Sequence, residues 1–409
     1  MTEIFLPLSK ECKKILDDFH SLIDRVFPLP SRFRHKLPYD IAELSGYFTS
    51  NRTERSASYL GKPNLLSAYL RYFLPWNIYR LCRLLPGLPL DLNEGDAIND
   101  IGCGPLTFVI SLWISRPEFR KMQLEFRCID RTPSVLDAGR KIFNALAPNS
   151  TWIIKTIRGE IRSTPNFGLN TEIRGKKAVL CSAINIYNEI FWDFSPRDVE
   201  MLDFFAKSQA ALLGRLCGGN ILVAEPGIPR SGEFISRLRS HLLENESISE
   251  GLMSVGPMPV WPMSLGHESL SPCPHSSACP FPGGYREKWC HFAFDSADAP
   301  SSLHKLSALA GLPKERAVIS YIFTGQRSAR EELSGKVHNS SLPVKVPVRI
   351  LSDSFPLMGG RGRYGCSEQG AVLVYGSYSE IEKIHSGSLL MCSLSGKRDE
   401  KSGALLAPL

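Results

Sequence analysis

The spacing of apolar positions changes along the chain, and each change marks a different kind of element. In "LLSAYLRYFLPWNIYRLCRLL", residues 65–85, apolar side chains recur at helical spacing with one interruption at Pro75, so residues 1 to about 90 predict a mostly helical N-terminal region. From residue 96 the pattern alternates. "DAINDIG" reads as a short strand, "LTFVISLWIS" as a helix, "LEFRCID" as a strand and "PSVLDAGRKIFNAL" as a helix. "TWIIKTI" and "KAVLCSA" are further strands, the helix "RDVEMLDFFAKSQAALLGRL" leads into the strand "GGNILVAEP", and the helix "GEFISRLRSHLLEN" follows. Strands alternating with helices predict an α/β fold over residues 91–330, a doubly wound parallel sheet covered on both faces, to which "AVISYIFTG" returns as one more strand.

Beyond residue 340 the alternation stops. "VKVPVRIL" and "GAVLVYG" predict strands of a small C-terminal β unit, residues 331–388. "SGKRDEKSGALLAPL" has few large apolar groups, so residues 389–409 are expected to form a loose tail.

With 43% apolar and 22% charged residues among 409, the chain has enough apolar surface for a full core. Its longest apolar runs fall far short of the roughly 20 residues that span a bilayer, so no membrane segment is expected. The first residues mix Glu3, Glu11, Asp17 and Asp18 with lysines and lack the order of a signal or transit peptide, which points to a cytoplasmic protein, expected to be a monomer. In that compartment thiols stay reduced, and cysteines serve metals or catalysis more often than disulfides. Of the 11 cysteines, Cys12, Cys82, Cys128, Cys181 and Cys217 stand singly in apolar patterns and read as small buried hydrophobes.

"SPCPHSSACPFPGGYREKWCHF", residues 271–292, is different, because it gathers Cys273, Cys279 and Cys290 among prolines and glycines inside a Cys-rich insertion at residues 245–295. Turn-rich backbone of this kind lets several sulfurs converge on one point. Five residues separate Cys273 from Cys279 and ten separate Cys279 from Cys290, which is not the two-residue spacing of a zinc knuckle. Cys followed by Pro occurs in the thiolate runs that hold iron–sulfur clusters, so ligand type and context favour such a cluster over Cys₃His zinc. The fourth ligand is Cys366, in "GGRGRYGCSEQG", which reads as an exposed Gly-rich loop, or alternatively His275 or His291.

A second site is written in "NDIGCGPLTF", residues 99–108, which puts Asp100, Gly102 and Gly104 where a strand gives way to a helix. Glycines there let backbone turn tightly against a ligand, and Asp130, at the end of the next strand, supplies a carboxylate suited to two ribose hydroxyls. With the "AEP" strand exit, these features resemble the class I S-adenosylmethionine-dependent methyltransferases over roughly residues 95–330. Leu106 departs from that pattern where many such enzymes carry a glycine, implying a tighter cofactor cradle. In "SAINIYNEIFWD" the resemblance places Asn185, Tyr187, Asn188 and Glu189 toward a methyl acceptor, although Asn188 and Glu189 are also residues that commonly open a helix.

The run "CPHSSACPFPGGYREKWCHF" after "VAEPGIPRSGEFISRLRSHLL", together with "SAYLRYFLPWNIYRL", resembles the methyltransferase-like proteins associated with the small subunit of the mitochondrial ribosome and their bacterial counterparts, over roughly residues 45–380. The resemblance implies a 4Fe-4S cluster on Cys273, Cys279, Cys290 and Cys366, and S-adenosylmethionine at Asp100, Gly102, Gly104, Asp130 and Asn188. It also implies binding to the small ribosomal subunit and its RNA, in an assembly or translation role, the alternative being an active RNA methyltransferase. Lys and Arg exceed Asp and Glu by 48 to 41, with basic groups in "RFRHK", residues 32–36, and at Arg361 and Arg363, where Tyr364 is placed to stack on a base.

Overall fold

The computed structural model describes residues 3–49, 59–161, 169–191, 198–243, 266–284, 288–326 and 345–409. Helix α1, Lys10–Val26, starts where the Ser9 hydroxyl accepts from the Cys12 backbone N–H at 3.1 Å, which satisfies one of the donors a first turn leaves open. Its buried face is Cys12, Leu16, Phe19, Leu22 and Ile23. After α2 (Ser31–Arg34) and α3 (Leu37–Phe48), α4 (Pro63–Ala68) passes through a π-turn at Tyr69–Phe73 into α5 (Leu74–Leu84). Pro75 has no N–H to give to the preceding turn, and the chain widens there rather than breaking.

The central sheet comprises β1 (Ala97–Ile101), β2 (Glu125–Asp130), β3 (Ile153–Arg158), β4 (Ala178–Ile184), β5 (Cys217–Pro226), β6 (His267–Ser271), β7 (Phe292–Asp295) and β8 (Arg316–Gln326). Its order is β3-β2-β1-β4-β5-β8-β6, with β7 also on β8. Strands β1 to β5 pair in parallel, and β8 runs antiparallel to β5, β6 and β7. This is a doubly wound α/β sheet, parallel over β1 to β5 with an antiparallel strand added beyond β5. Helices α6 (Thr107–Ser115) and α7 (Pro133–Leu146) share one apolar cluster with α1, α3, α4 and α5, so the N-terminal region packs on the sheet as part of its core. The short α8 (Tyr187–Ile190), α9 (Val199–Leu216) and α10 (Pro229–Leu243) cover the other face. Helix α11 (Ser301–Leu309) precedes β8.

A second sheet, ordered β13-β9-β11-β12-β14, is built from β9 (Lys345–Ile350), β11 (Gly360–Ser367), β12 (Gly370–Gly376), β13 (Leu389–Ser393) and β14 (Leu405–Pro408), with β10 (Phe355–Leu357) on β11 and α12 (Tyr378–Ile381) alongside. Two expectations are corrected here. The tail is not loose: β13 pairs with β9, β14 pairs in parallel with β12, and Ala404, Leu405 and Ala407 are buried. Small side chains suffice inward on these outer strands, so the lack of large apolar groups was no sign of disorder. The glycine-rich "GGRGRYG" is a strand rather than an exposed loop. A Cβ on Gly360 would stand 2.3 Å from the Gly376 carbonyl oxygen, and one on Gly365 2.7 Å from Val348 Cγ1, so these glycines admit neighbouring strands.

Of the insertion at residues 245–295, residues 245–265 and 285–287 lie outside the described residues. The remainder forms β6, the turns that carry the cysteines, and β7. Among the described residues no helix is long and apolar enough to cross a membrane.

Candidate functional site

The sheet order reverses between β1 and β4, and the crevice outside the carboxyl ends of those strands is where doubly wound sheets take ligands. Gly102 and Gly104 turn the chain there with φ of +64° and +54°. A Cβ on Gly102 would come within 2.6 Å of the Ile186 side chain, so only glycine fits. Asp130, at the end of β2, accepts from the Gly104 N–H at 3.1 Å and from the Thr132 N–H at 2.8 Å. Those bonds hold the carboxylate still and leave each oxygen a further lone pair, while burial raises its pKa. A cavity of about 300 Å³ opens at this point, and Gly102, Gly104, Asp130, Asn185, Asn188 and Glu189 all line it.

Asp100 does not line it. The side chain is fully buried behind the turn, where one oxygen accepts from the Ser182 hydroxyl at 2.7 Å and the other has no partner among the described residues. Desolvation raises its pKa to about 7, so Asp100 supports the turn from behind instead of facing a ligand. Leu106 also departs from expectation. It adopts φ +60° and ψ +40°, the left-handed conformation that a glycine takes without strain, but its side chain is buried against the Gly139 backbone position and stays out of the cavity lining. The cradle is therefore not narrowed by it.

The loop after β4 is held by the acid of the "AEP" strand exit, to which the sequence assigned no role. Glu225, fully buried at the end of β5, accepts from the backbone N–H groups of Tyr187 at 2.8 Å and Asn188 at 3.2 Å. Burial raises its pKa to about 8. Asn188 opens α8, as the helix-start reading had it, and also faces the cavity. Tyr187 is buried in the core and does not face the cavity.

The cysteines form a second locus, between α10, the insertion and the second sheet. Burial raises the pKa of the Cys290 thiol, and so do Cys279, Cys273 and Cys366; Cys366 is raised by burial and then by Cys273 and Cys279. Cys279, Cys290 and Cys366 thus each sense the charge of other thiols in the set, which brings Cys366 of the second sheet to the cysteines of the insertion. The Arg239 guanidinium opposes that effect at Cys279, Cys290 and Cys366, and Arg349 opposes it at Cys366. Arg349 reaches across the two sheets and donates to the Pro272 carbonyl at 2.8 Å. Of the two candidate histidines, His275 has both ring nitrogens buried without a partner among the described residues and Arg239 acts on it, while His291 stacks on Trp289 with ring centroids 4.8 Å apart. Among the described residues no three His, Cys, Asp or Glu groups are placed to hold a single metal ion.

The basic residues divide sharply. Arg363 is buried and donates to the carbonyls of Ile381 and Ser352, while Arg361 binds Ser354 and pairs with Glu382 at 2.7 Å. Tyr364 stacks on Phe355 at 4.9 Å, with Lys288 over its ring. These three side chains hold the second sheet together and are not displayed for phosphate. Residues 32–36, in contrast, are all exposed.

No curated protein is significantly similar in sequence to this chain. Among solved structures, magnesium protoporphyrin IX methyltransferase from Synechocystis PCC 6803, with bound SAH, shares 10% identity over 70% of this chain and 100% of its own, at a TM-score of 0.29. A SAM-dependent methyltransferase from Thiobacillus denitrificans, in complex with S-adenosyl-L-homocysteine, shares 12% identity over 62% of this chain and 92% of its own, at 0.30. A family model matches residues 201–342, the segment from α9 past β8 that contains Cys273, Cys279 and Cys290. By that match the chain is similar to the Rsm22 family, whose description is mitochondrial small ribosomal subunit Rsm22.

Proposed function

We propose that this protein is an assembly or translation factor that binds the RNA of the small ribosomal subunit, built on an S-adenosylmethionine-binding fold and stapled by a 4Fe-4S cluster. The observation that carries the reading is that the family match contains three of four cysteines that gather at one place in the fold. In a four-iron cluster each thiolate binds its own iron, so the sulfurs surround the cluster and need not meet at one ion. Cys273, Cys279 and Cys290 from the insertion and Cys366 from β11 are the four ligands, with Arg239 and Arg349 favouring the thiolate form. When bound, the cluster supplies a cross-link between the two sheets. S-adenosylmethionine, when bound, supplies a methyl sulfonium; Gly102 and Gly104 give it room, Asp130 receives the ribose hydroxyls, and Asn188 faces it across the cavity. The Rsm22 description is mitochondrial, and the proposal needs only access to a small ribosomal subunit.

One observation favours a second reading, an active RNA methyltransferase: the cavity runs continuously from Gly102 and Asp130 to the polar groups of Asn185, Asn188 and Glu189. Anaerobic purification with iron, sulfide and zinc analysis, followed by sedimentation with small subunits, tests the main proposal. One 4Fe-4S cluster per chain and co-sedimentation are expected. Stoichiometric zinc without sulfide would remove the cluster, and absence from the subunit fraction would remove the ribosomal role. Transfer of labelled methyl groups to small-subunit RNA would establish the second reading.

A further inference from the structure

The cavity extends beyond the cofactor turn to a deep end lined by Tyr72, Trp76, Asn77, Arg80 and Lys314. Arg80 comes from α5, and its Nη1 donates to Asn77 Oδ1 at 2.6 Å, while its Nε is buried without a partner among the described residues. Lys314 comes from the turn before β8, which is fixed by the Ser296 hydroxyl donating to the Lys314 carbonyl at 2.9 Å. The Lys314 ammonium lies 5.8 Å from the Trp76 ring centre and 6.0 Å from that of Tyr72. Two cations half-buried in one cavity repel, and neither has a carboxylate partner among the described residues. Burial and Arg80 together lower the Lys314 pKa to about 8. Aromatic faces soften this cost only slightly, because both rings lie near the limit of cation–π range. The carboxylates of the cavity, Asp130 and Glu189, are sensed by Tyr69, toward the turn, and do not figure among the groups acting on Arg80 or Lys314.

We propose that this deep end is an oxyanion subsite in which Arg80 and Lys314 together grip a carboxylate or phosphate group. Such a group would supply the charge that both cations lack and a partner for the buried Nε. Two sources could provide it: the carboxylate on the amino-acid end of an S-adenosyl ligand, which rests on the cofactor reading, or the phosphate of a second ligand, which does not.

Calorimetry on the full chain separates them. S-adenosylhomocysteine and 5′-methylthioadenosine share the adenosine thioether, and only the first carries the amino-acid carboxylate. If the carboxylate occupies the subsite, the wild type binds S-adenosylhomocysteine at least tenfold more tightly than methylthioadenosine, and Arg80→Gln or Lys314→Met abolishes that preference while leaving methylthioadenosine binding unchanged. If phosphate occupies it, inorganic phosphate binds the wild type with or without saturating methylthioadenosine and fails to bind either variant. Arg80→Lys, which keeps the charge, retains most of whichever effect is seen, and thermal melts confirm that the variants are folded. A wild type that neither prefers S-adenosylhomocysteine nor binds phosphate overturns the proposal, as does any such preference or binding that persists in both variants. Failure of both adenosine ligands to bind would instead sink the cofactor reading and leave the phosphate measurement to decide the subsite.

Discussion

The Nε of Arg239 donates to the Cys273 sulfur across 3.2 Å, and its Nη2 donates to the His275 carbonyl across 2.8 Å. Arg239 is 3% exposed, so its charge is committed to the thiol group and not to solvent. A charge-assisted hydrogen bond of this kind contributes about 1.5–3 kcal/mol. Arg239→Met should therefore lower iron retained per chain after anaerobic purification by at least half, and hasten bleaching of the brown chromophore in air. Iron content and decay equal to wild type would show that the guanidinium serves packing alone.

The choice of fourth ligand is decided by substitution. Cys366→Ser should remove iron and sulfide as fully as Cys279→Ser does, whereas His275→Ala and His291→Ala should keep them. Loss of iron in either histidine variant, with Cys366→Ser unaffected, reverses the assignment.

At the cofactor turn, Asp130→Ala should weaken S-adenosylmethionine binding roughly 10- to 100-fold, since two hydroxyls would lose a charged acceptor worth about 1.5–3 kcal/mol. Asp100→Asn should change it little, because Asp100 lies outside the cavity lining. Calorimetry of both variants reads the contrast, and equal losses would contradict it.

Asp100 also carries a pH signature. Its folded pKa, about 7, lies above the ordinary 3.8. The folded chain therefore holds the extra proton, and the stability this group contributes is full below about pH 4 and lost as pH rises through 7. Asp100→Asn removes that titration. The variant's melting temperature should gain on wild type between pH 4 and 7 and level off above, by an amount corresponding to about 2–4 kcal/mol at most. Glu225 titrates in both proteins and cancels from the difference. A gap that stays constant across this range would show that Asp100 is ionised in the fold.

Residues 32–36 and the β11 arginines should behave oppositely. If the exposed group meets RNA phosphate, replacing Arg32, Arg34 and Lys36 with Ala should flatten the salt dependence of binding by about 0.7–0.9 for each phosphate no longer neutralised. Arg361→Ala with Arg363→Ala should leave the slope intact and lower the melting temperature, since both side chains tie β11 to its surroundings. Filter binding over a salt series, beside thermal melts, separates these outcomes.

The central sheet was legible because buried parallel strands read as short continuous apolar runs, and "AINDI" and "LVAE" carry that mark. The glycine turn and Asp130 were legible because their chemistry is local, set by neighbours in sequence. What escaped was non-local. Glycines of β11 looked like a loop because the strands that need their missing side chains lie elsewhere in the chain. Glu225 followed a strand like any terminal acid, with nothing to show that its carboxylate receives two N–H groups from the loop after β4. Arg80, Lys314 and Arg239 carry no mark in the sequence that the fold turns each of them inward.

Cys366 reaches its three companions through the pairing of β11 with β9 and β12, so the thiol group depends on chain made well after the insertion. A nascent chain that has released the insertion but not the second sheet possesses three of the thiols and no means of enclosing them. Domains form as they emerge during synthesis, so the central sheet is free to fold well before this locus closes. Completion of the thiol group is thus a record that synthesis has passed β11, and a chain cut short by a premature stop or by proteolysis before β11 would carry a folded sheet and only three of the four thiols.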